Sequence, residues 1–506
     1  MIVKRQRTVL VDQTHVLFPW ADTTSRLGNN LKNAARFRQR QILTAKKKDK
    51  DSLTENEQSI IDEVIKFMGV NPMEKNCPVS KSFLYDLLYN SHNPDLFAEG
   101  LPRQTAEKVV YQCVEDMNNY WKSLKEWSAH PEKYLEKPKL PGYARKGGRS
   151  TVTITNQDCT ISMDKNGISW AAFPFAKKIP LCIGAPEGTF KEAKVVPFNG
   201  AYKICFVFDV EIPDAELPQT SQRIASIDFG VDNLMAVTNN IGAPCLLFKG
   251  GIVKSCNRFY NKRLAGIMDK EMRKPDCPLN KDGKPKFIPT PESKALTVER
   301  DNRIKDFMRK AACFLLKWCV EHRIDTIVAG VNPLWKQKVN LGHVNNQNFV
   351  QIPFFYLRAV IKYKAEAAGI LYVEQEESYT SKASFIDQDP IPVYKEGDNT
   401  KYTFSGKRGP HWYKGMHSKN GFHGLYQSKD GTIINSDLNG SANILRKAFP
   451  EAFKHGVMPD FTNVVIIKNP ERESVIRNRE KQMSNKAQQP SKSKLARLKK
   501  KASKAA

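Results

Sequence analysis

Arg223-Ile-Ala-Ser-Ile-Asp-Phe-Gly-Val-Asp-Asn-Leu-Met-Ala-Val-Thr-Asn239 is the stretch on which the reading of the fold turns. Ile224, Ala225 and Ile227, and then Leu234, Ala236 and Val237, form two short apolar runs of strand length. Phe229 to Asn233 lies between them and supplies the Gly and Asn that a hairpin turn favours. Asp228 therefore ends a buried strand beside a hairpin. A carboxylate in such a place is costly without a positive partner. A divalent cation, which takes oxygen ligands, accounts for it. So does a turn-capping role, and the stretch alone leaves the two open.

The rest of the C-terminal half bears on the choice. Leu246 to Phe248 predicts a third strand before Gly250-Gly251. Ile304, Phe307, Met308, Ala311, Phe314, Leu315 and Cys319 recur at helical spacing. Asp325 to Ala329 reads as a strand ended by Gly330, Phe354 to Ala368 as a helix, and Leu371 to Val373 as a strand running into Glu374-Gln375-Glu376-Glu377. Asn435 to Ala448 starts a last helix that bears Asp437. Three strands in hairpins followed by alternating helices and strands is the order of the ribonuclease-H-like fold. There, acids at separate strand ends and on a late helix meet at one point. Clustered carboxylates repel one another, which implies a shared metal pair, and such a pair suits phosphodiester cleavage.

Composition bounds the partners. The chain has 506 residues, room for several domains. Its formal net charge of +27 is spread along the sequence and calls for a polyanionic partner with a large footprint. Ten cysteines between Cys77 and Cys319 form no CxxC pair and read as free thiols of a reducing compartment. The basic start, Met1 to Arg7, does not read as a signal peptide. No apolar run approaches membrane-spanning length, so no membrane partner is expected.

In chain order, Ile2 to Val11 predicts a strand carrying Lys4, Arg5 and Arg7. These residues suit either a phosphate backbone or a solvated edge. Thr24 to Leu43 reads as a helix with one apolar stripe and one arginine stripe (Arg36, Arg38, Arg40). Thr54 to Glu57 is a capping box, and Ser82 to Tyr89 is a short helix. Pro102 opens a long helix through Trp127, with Trp121 and Trp127 read as core. Glu136 to Ser150 is a Gly- and Pro-rich basic loop suited to phosphates. The strands Thr151–Thr155, Ile168–Ala172, Lys194–Phe198 and Ala201–Val210 suggest a small barrel or sandwich. The first strand is free to join it, with the helices as an insertion.

Several segments together resemble the TnpB family of transposon-encoded RNA-guided DNA nucleases and its Fanzor relatives, cousins of the type V CRISPR effectors. They are Leu101-Pro-Arg-Gln-Thr-Ala106, Pro138-Lys-Leu-Pro-Gly-Tyr143, Ser226 to Leu234, Ile361 to Glu366, Glu377-Ser-Tyr-Thr-Ser-Lys382 and Asp437-Leu-Asn-Gly-Ser-Ala-Asn443. The resemblance implies an α+β multidomain, bilobed protein: a wedge β-barrel with a helical recognition lobe inserted, plus a ribonuclease-H-like (RuvC) nuclease domain. On that plan residues 1–22 give the first barrel strand, 23–135 the recognition lobe and 136–220 the rest of the barrel. Residues 221–382 form the nuclease core, 383–430 an inserted loop region, 431–470 its final helix and 471–506 a basic disordered tail. It also implies a guide RNA, with one protein per RNA, target double-stranded DNA and a short flanking DNA motif.

The chain departs from the family pattern twice. The family's middle catalytic Glu usually ends the fourth strand, where this chain has Gly330-Val331-Asn332. A family subset carries a relocated Glu before the Tyr-Thr-Ser segment. Glu376 and Glu377 match that place, and Glu377 is the preferred one. Neighbouring strand ends lie about 4.8 Å apart, within reach of the longer side chain. A dead nuclease is the competing explanation. The second departure is the zinc ribbon: Ala383 to Asp387 carries no cysteine, so no thiolate zinc site is expected. His411, His417 and His423 match no usual metal spacing and read as part of a nucleic-acid-facing loop. Trp335 and Lys336 border the expected cleft, Trp335 as a packed or base-stacking side chain and Lys336 as a phosphate contact. Lys481 to Ala506 holds nine basic and no acidic residues. Arg497 to Lys501 suits nuclear import if the source is eukaryotic; otherwise the location is cytoplasmic.

The expectation is an RNA-guided DNA endonuclease in which Asp228, Glu377 and Asp437 hold two Mg²⁺ ions. An RNA-guided binder without cleavage, and a cut-and-join transposase on the same fold, are the alternatives.

Overall fold

A computed structural model of the chain describes residues 2–74, 79–131, 134, 136–211, 222–332, 351–393, 400–454 and 457–471. Trp335, Lys336, Cys77 and the basic C-terminal stretch lie outside the described residues. The chain divides into two compact units, Met1–Pro213 and Asp214–Ala506.

The first unit runs β1 (Ile2–Val11), α1 (Phe18–Ala45), α2 (Glu55–Met68), α3 (Lys81–Asn90), α4 (Arg103–Ala129), β2 (Val152–Thr155), β3 (Thr160–Met163), β4 (Ser169–Ala172), β5 (Leu181–Gly184), β6 (Thr189–Phe198) and β7 (Ala201–Glu211). The Thr54 hydroxyl and the Glu57 carboxylate cap α2 reciprocally, and Gly69 at φ 66° closes it in the left-handed conformation that glycine takes without strain. The strands make two sheets, β1-β7-β6-β2 and β3-β4-β5. Among the described residues neither sheet closes, so the expected barrel is an open pair. Helix side chains fill the space between strands instead: Leu31, Ala35, Val109 and Val110 share one apolar cluster with Ile154, Ile204 and Phe206. Gly28 is required there, because a Cβ on it would stand 2.2 Å from Val152 Cγ1.

The arginine stripe of α1 is engaged internally. Arg36 is buried on Asp116 and the Cys113 carbonyl, Arg38 pairs with Glu63, and Arg40 donates to the Pro141 carbonyl. Trp121 is not core: it is 38% exposed, beyond Met117, the last buried residue of α4.

The second unit runs β8 (Ile224–Asp228), β9 (Asn233–Asn239), β10 (Pro244–Lys249), α5 (Gly251–Met272), α6 (Pro291–Glu321), β11 (Thr326–Val331), α7 (Phe354–Ala367), β12 (Leu371–Glu376), β13 (Lys407–Arg408), β14 (Trp412–Tyr413), β15 (Met416–His417), β16 (Leu425–Gln427), β17 (Ile433–Asn435), α8 (Ser436–Ala448) and β18 (Asp460–Ile467). Its main sheet has the order β12-β11-β8-β9-β10-β18. β8, β9 and β10 are antiparallel neighbours, whereas β11 runs parallel to β8 and β12 parallel to β11. The parallel edge strand β18 beside β10 was not anticipated. Neither was α5.

Alternation along β8 sorts its side chains. Ala225 and Ile227 join the cluster formed with Met308, Ala311 and Leu315 of α6 and Leu357 and Ile361 of α7. Ile224 packs with Ile444 and Leu445 of α8 on the other face. Successive strand side chains point to opposite faces, so Ser226 and Asp228 fall on the α8 side.

Candidate active site

Asp228 ends β8 on the face that α8 covers, and α8 is fitted to it residue by residue. Asn435 caps the helix, its Oδ1 accepting from the Asp437 and Leu438 amides. That cap sets Asp437 in the first turn. One turn on, a Cβ at Gly440 would stand 2.6 Å from Asp228 Oδ2, closer than real contacts allow. Glycine is what lets the helix backbone lie against the carboxylate. Ser441 Oγ donates to the Ser226 carbonyl at 3.0 Å, and Ser226 Oγ returns a bond to the Ser441 carbonyl at 2.7 Å. This buried exchange fixes α8 on β8.

The same helix holds the turn that follows Glu377. Asn439 Nδ2 donates to the Ala383 carbonyl, and Asn439 Oδ1 accepts from the Phe385 amide. Asn443 Nδ2 donates to the Thr380 and Ala383 carbonyls. Lys447 Nζ, 10% exposed, reaches Glu376 Oε2 at 2.8 Å and the Ser378 carbonyl at 3.0 Å. Glu376 also accepts from the Ser378 amide at 2.6 Å. Burial alone would raise its carboxyl, but Lys447 and Ser378 outweigh that and hold it below the usual glutamate range.

Glu377 is placed differently. Its Oε2 is buried without a hydrogen-bond partner among the described residues. Burial first, and then the Glu376 charge, push its carboxyl up to about 7, against the opposing pull of Arg358 and Lys447. The carboxylate lies over the end of β11, where a Cβ at Gly330 would be 3.0 Å from Oε2 and 2.5 Å from Ile444 Cδ1. Glycine at position 330 thus leaves the space beside β11 that the Glu377 carboxylate occupies.

Asp228 feels both other acids. Burial, then Glu377, then Asp437 raise its carboxyl well above the ordinary range, and only Arg408 opposes them. Asp437 itself is engaged. Asn233 Nδ2 donates to its Oδ2 at 2.7 Å, and Arg408 Nη2 lies 3.4 Å from its Oδ1. Lys249 Nζ donates to Asn233 Oδ1 at 2.7 Å, which fixes the direction of that amide. The three predicted acids therefore share one electrostatic neighbourhood. Among the described residues, however, no three His, Cys, Asp or Glu side chains are gathered closely enough to hold a metal ion as they stand.

Sequence reasoning missed Asn233, Lys249, Arg408 and Lys447. Asn233 lies inside the quoted hairpin, where its turn propensity masks its second role. The others are remote in sequence and leave no local signal. Of the three histidines, His411 and His417 face each other with ring centres 6.3 Å apart, and His417 packs on Trp412; the His423 carbonyl accepts from Arg408 Nε at 3.3 Å. Trp412 is 64% exposed.

No protein-family model matches the chain, and no curated protein matches it. Among solved structures, 87% of the chain aligns with 98% of a chain from a Cas12f1–sgRNA–target DNA complex at 14% identity and a TM-score of 0.30. A CRISPR-Cas12f ternary complex aligns over 84% of this chain and 81% of that one, at 13% identity and 0.29. CasPhi-2 (Cas12j) bound to crRNA and phosphorothioate-DNA aligns over 90% and 92%, at 6% identity and 0.37.

Proposed function

We propose that this chain is an RNA-guided DNA endonuclease of the ribonuclease-H-like (RuvC) type, with Asp228, Glu377 and Asp437 as its acids. The observation that carries the reading is Asp228, whose carboxyl is pushed upward first by burial and then by Glu377 and Asp437, beside a Glu377 oxygen that no donor among the described residues satisfies. Such a set is stable at neutral pH when a cation neutralises it. The strand order β10-β9-β8-β11-β12, with α8 crossing β8, agrees with the arrangement expected for that fold.

The donor chemistry suits a hard divalent ion, because all the donors are carboxylate oxygens and Glu377 has one to spare; the three side chains would have to draw together to share it. Asp228, Glu377 and Asp437 would hold two Mg²⁺ ions, which when bound lower the pKa of water and stabilise charge on a phosphodiester. The protein's own residues do the positioning. Gly440 and Gly330 admit two carboxylates to one side of the sheet. Asn233 keeps Asp437 an acceptor, and Lys447 ties Glu376 away from the pair. Guide and target strands would be matched by base pairing, leaving the protein to bind backbone and a short flanking motif. The +27 charge supports a partner of that size.

Sequencing the nucleic acid that co-purifies with the chain identifies the guide. The reconstituted complex should cut matched DNA in Mg²⁺, and Asp228→Ala should retain RNA binding while losing cleavage. Wild-type cleavage by Asp228→Ala refutes the site. Stable binding of matched DNA by the wild type, with no cut, establishes the binder instead.

A further inference from the structure

The basic loop that the sequence presents as a linker is strapped to a helix. From Pro141 to Ser150 it runs along α1 in the opposite direction, held by a row of polar side chains on that helix. Arg40 donates to the Pro141 carbonyl at 2.8 Å. Asn33 grips Ala144 from both sides, donating to its carbonyl and accepting from its amide. Asn29 Nδ2 donates to the Arg145 carbonyl at 3.0 Å. Ser25 exchanges bonds with Ser150, and Asp22 takes both arms of Arg149 at 2.7 Å. Positions 22, 25, 29, 33 and 40 recur at three, four and seven residues, so they line one face of the helix. Ser25 and Asn29 are essentially buried, which makes these bonds part of the fold rather than surface decoration.

What the strap turns outward is cationic and aromatic. Arg145 and Lys146 are exposed, and among the described residues neither has an acidic partner. They are the first two residues of a tight turn in which Gly148 donates to the Arg145 carbonyl and Gly147 takes φ +67°. Tyr143 is 50% exposed, with the Arg40 guanidinium over its ring. Lys137 sits over Trp127 at the near end of the loop, and Lys47 over the exposed Trp121. Because the backbone is already held, Arg145 and Lys146 add only the ordering of their own side chains when they meet a phosphate.

We propose that the strap from Lys137 to Arg149 is a pre-ordered binding ribbon for the phosphodiester backbone of a nucleic acid, with Arg145 and Lys146 as its free contacts and the α1 amide row as its support. The site lies wholly within the first unit, and binding there needs neither Mg²⁺ nor the acids of the second unit. It is tested without either, so loss of the nuclease reading would leave it standing.

The test is fluorescence anisotropy of the full chain with a labelled RNA hairpin, and with a DNA hairpin of matching sequence, in EDTA over a KCl series. Arg145→Gln/Lys146→Gln should weaken binding and make the plot of log affinity against log salt shallower by about 0.9 for each phosphate that is no longer neutralised. Asn33→Ala removes no charge, yet should weaken binding about threefold to tenfold by releasing the strap. The hairpin that binds the wild type more tightly names the source of the backbone. The proposal is overturned if the double variant keeps the wild-type affinity and slope. It is also overturned if the double variant weakens binding while Asn33→Ala, with its melting curve unchanged, does not, since the loop is then an ordinary basic tether.

Discussion

Glu377→Gln isolates the energetic claim on which the acid site rests. In the wild type the carboxyl is pushed from an ordinary 4.5 up to about 7, chiefly by burial. Each tenfold change in proton affinity is worth about 1.4 kcal/mol. Holding this group ionised above pH 7 therefore costs the second unit about 3 kcal/mol. The folded state binds the extra proton between those two values, so this contribution lowers stability as pH rises from 4.5 to 7. Glutamine cannot ionise and removes the dependence. Other groups titrate in both proteins; Glu57, held down to about 2 by Lys48 and its capping contacts, is one. The quantity to read is therefore the difference between variant and wild type. Urea unfolding in EDTA, localised by hydrogen exchange in peptides covering 224–249 and 436–448, should show the two proteins equal at the acid end of the window. Above it, Glu377→Gln should be more stable by about 3 kcal/mol. Added Mg²⁺ should shrink the gap by favouring the ionised form. A gap that is absent, or that opens toward acid, refutes the placement of this carboxylate.

Three further outcomes follow from the same contacts. Asn233→Ala releases Asp437 Oδ2 from its donor and should lower Mg²⁺-dependent cleavage about 10- to 100-fold, as loss of a carboxylate's supporting bond typically does; RNA binding by filter assay should be unchanged. Lys447→Met leaves Glu376, which is 36% exposed and keeps the Ser378 amide as a donor, without its cationic partner, costing about 1–3 kcal/mol by denaturant unfolding. Adding Glu376→Gln to it should recover most of that loss, and no recovery would mean the pair is incidental. Gly440→Ala drives a methyl to 2.6 Å from Asp228 Oδ2 and should lift α8 from β8, seen as faster amide exchange at Ser441 and as lost cleavage; Gly266→Ala on α5, with nothing within 4 Å, is its neutral control.

Much of the second unit was legible because its strands obey local rules. Ile224 to Asp228 and Asn233 to Asn239 are buried runs separated by a Gly-Asn turn, and Asn435 ahead of Asp437 is a helix start whatever surrounds it. The choice between Glu376 and Glu377 was not local. Adjacent residues at a strand end point opposite ways, and only the position of Lys447, 71 residues later, decides which is neutralised. Gly330 likewise reads as a missing catalytic acid until the fold brings a carboxylate over it.

In the first unit, helix periodicity and the Thr54 cap were visible in the chain, whereas closure of the barrel was a matter of packing: the helices already supply the apolar surface that a closing strand would have covered. The loop from Glu136 to Ser150 makes the division plainest. Its charge and its glycines are written in the sequence. Its rigidity comes from Asn29 and Asn33, over 110 residues away, through hydrogen bonds that exist only once α1 is folded beside it. Composition and spacing determine what a segment is able to bond, and only tertiary contact decides whether a distant donor arrives to do so.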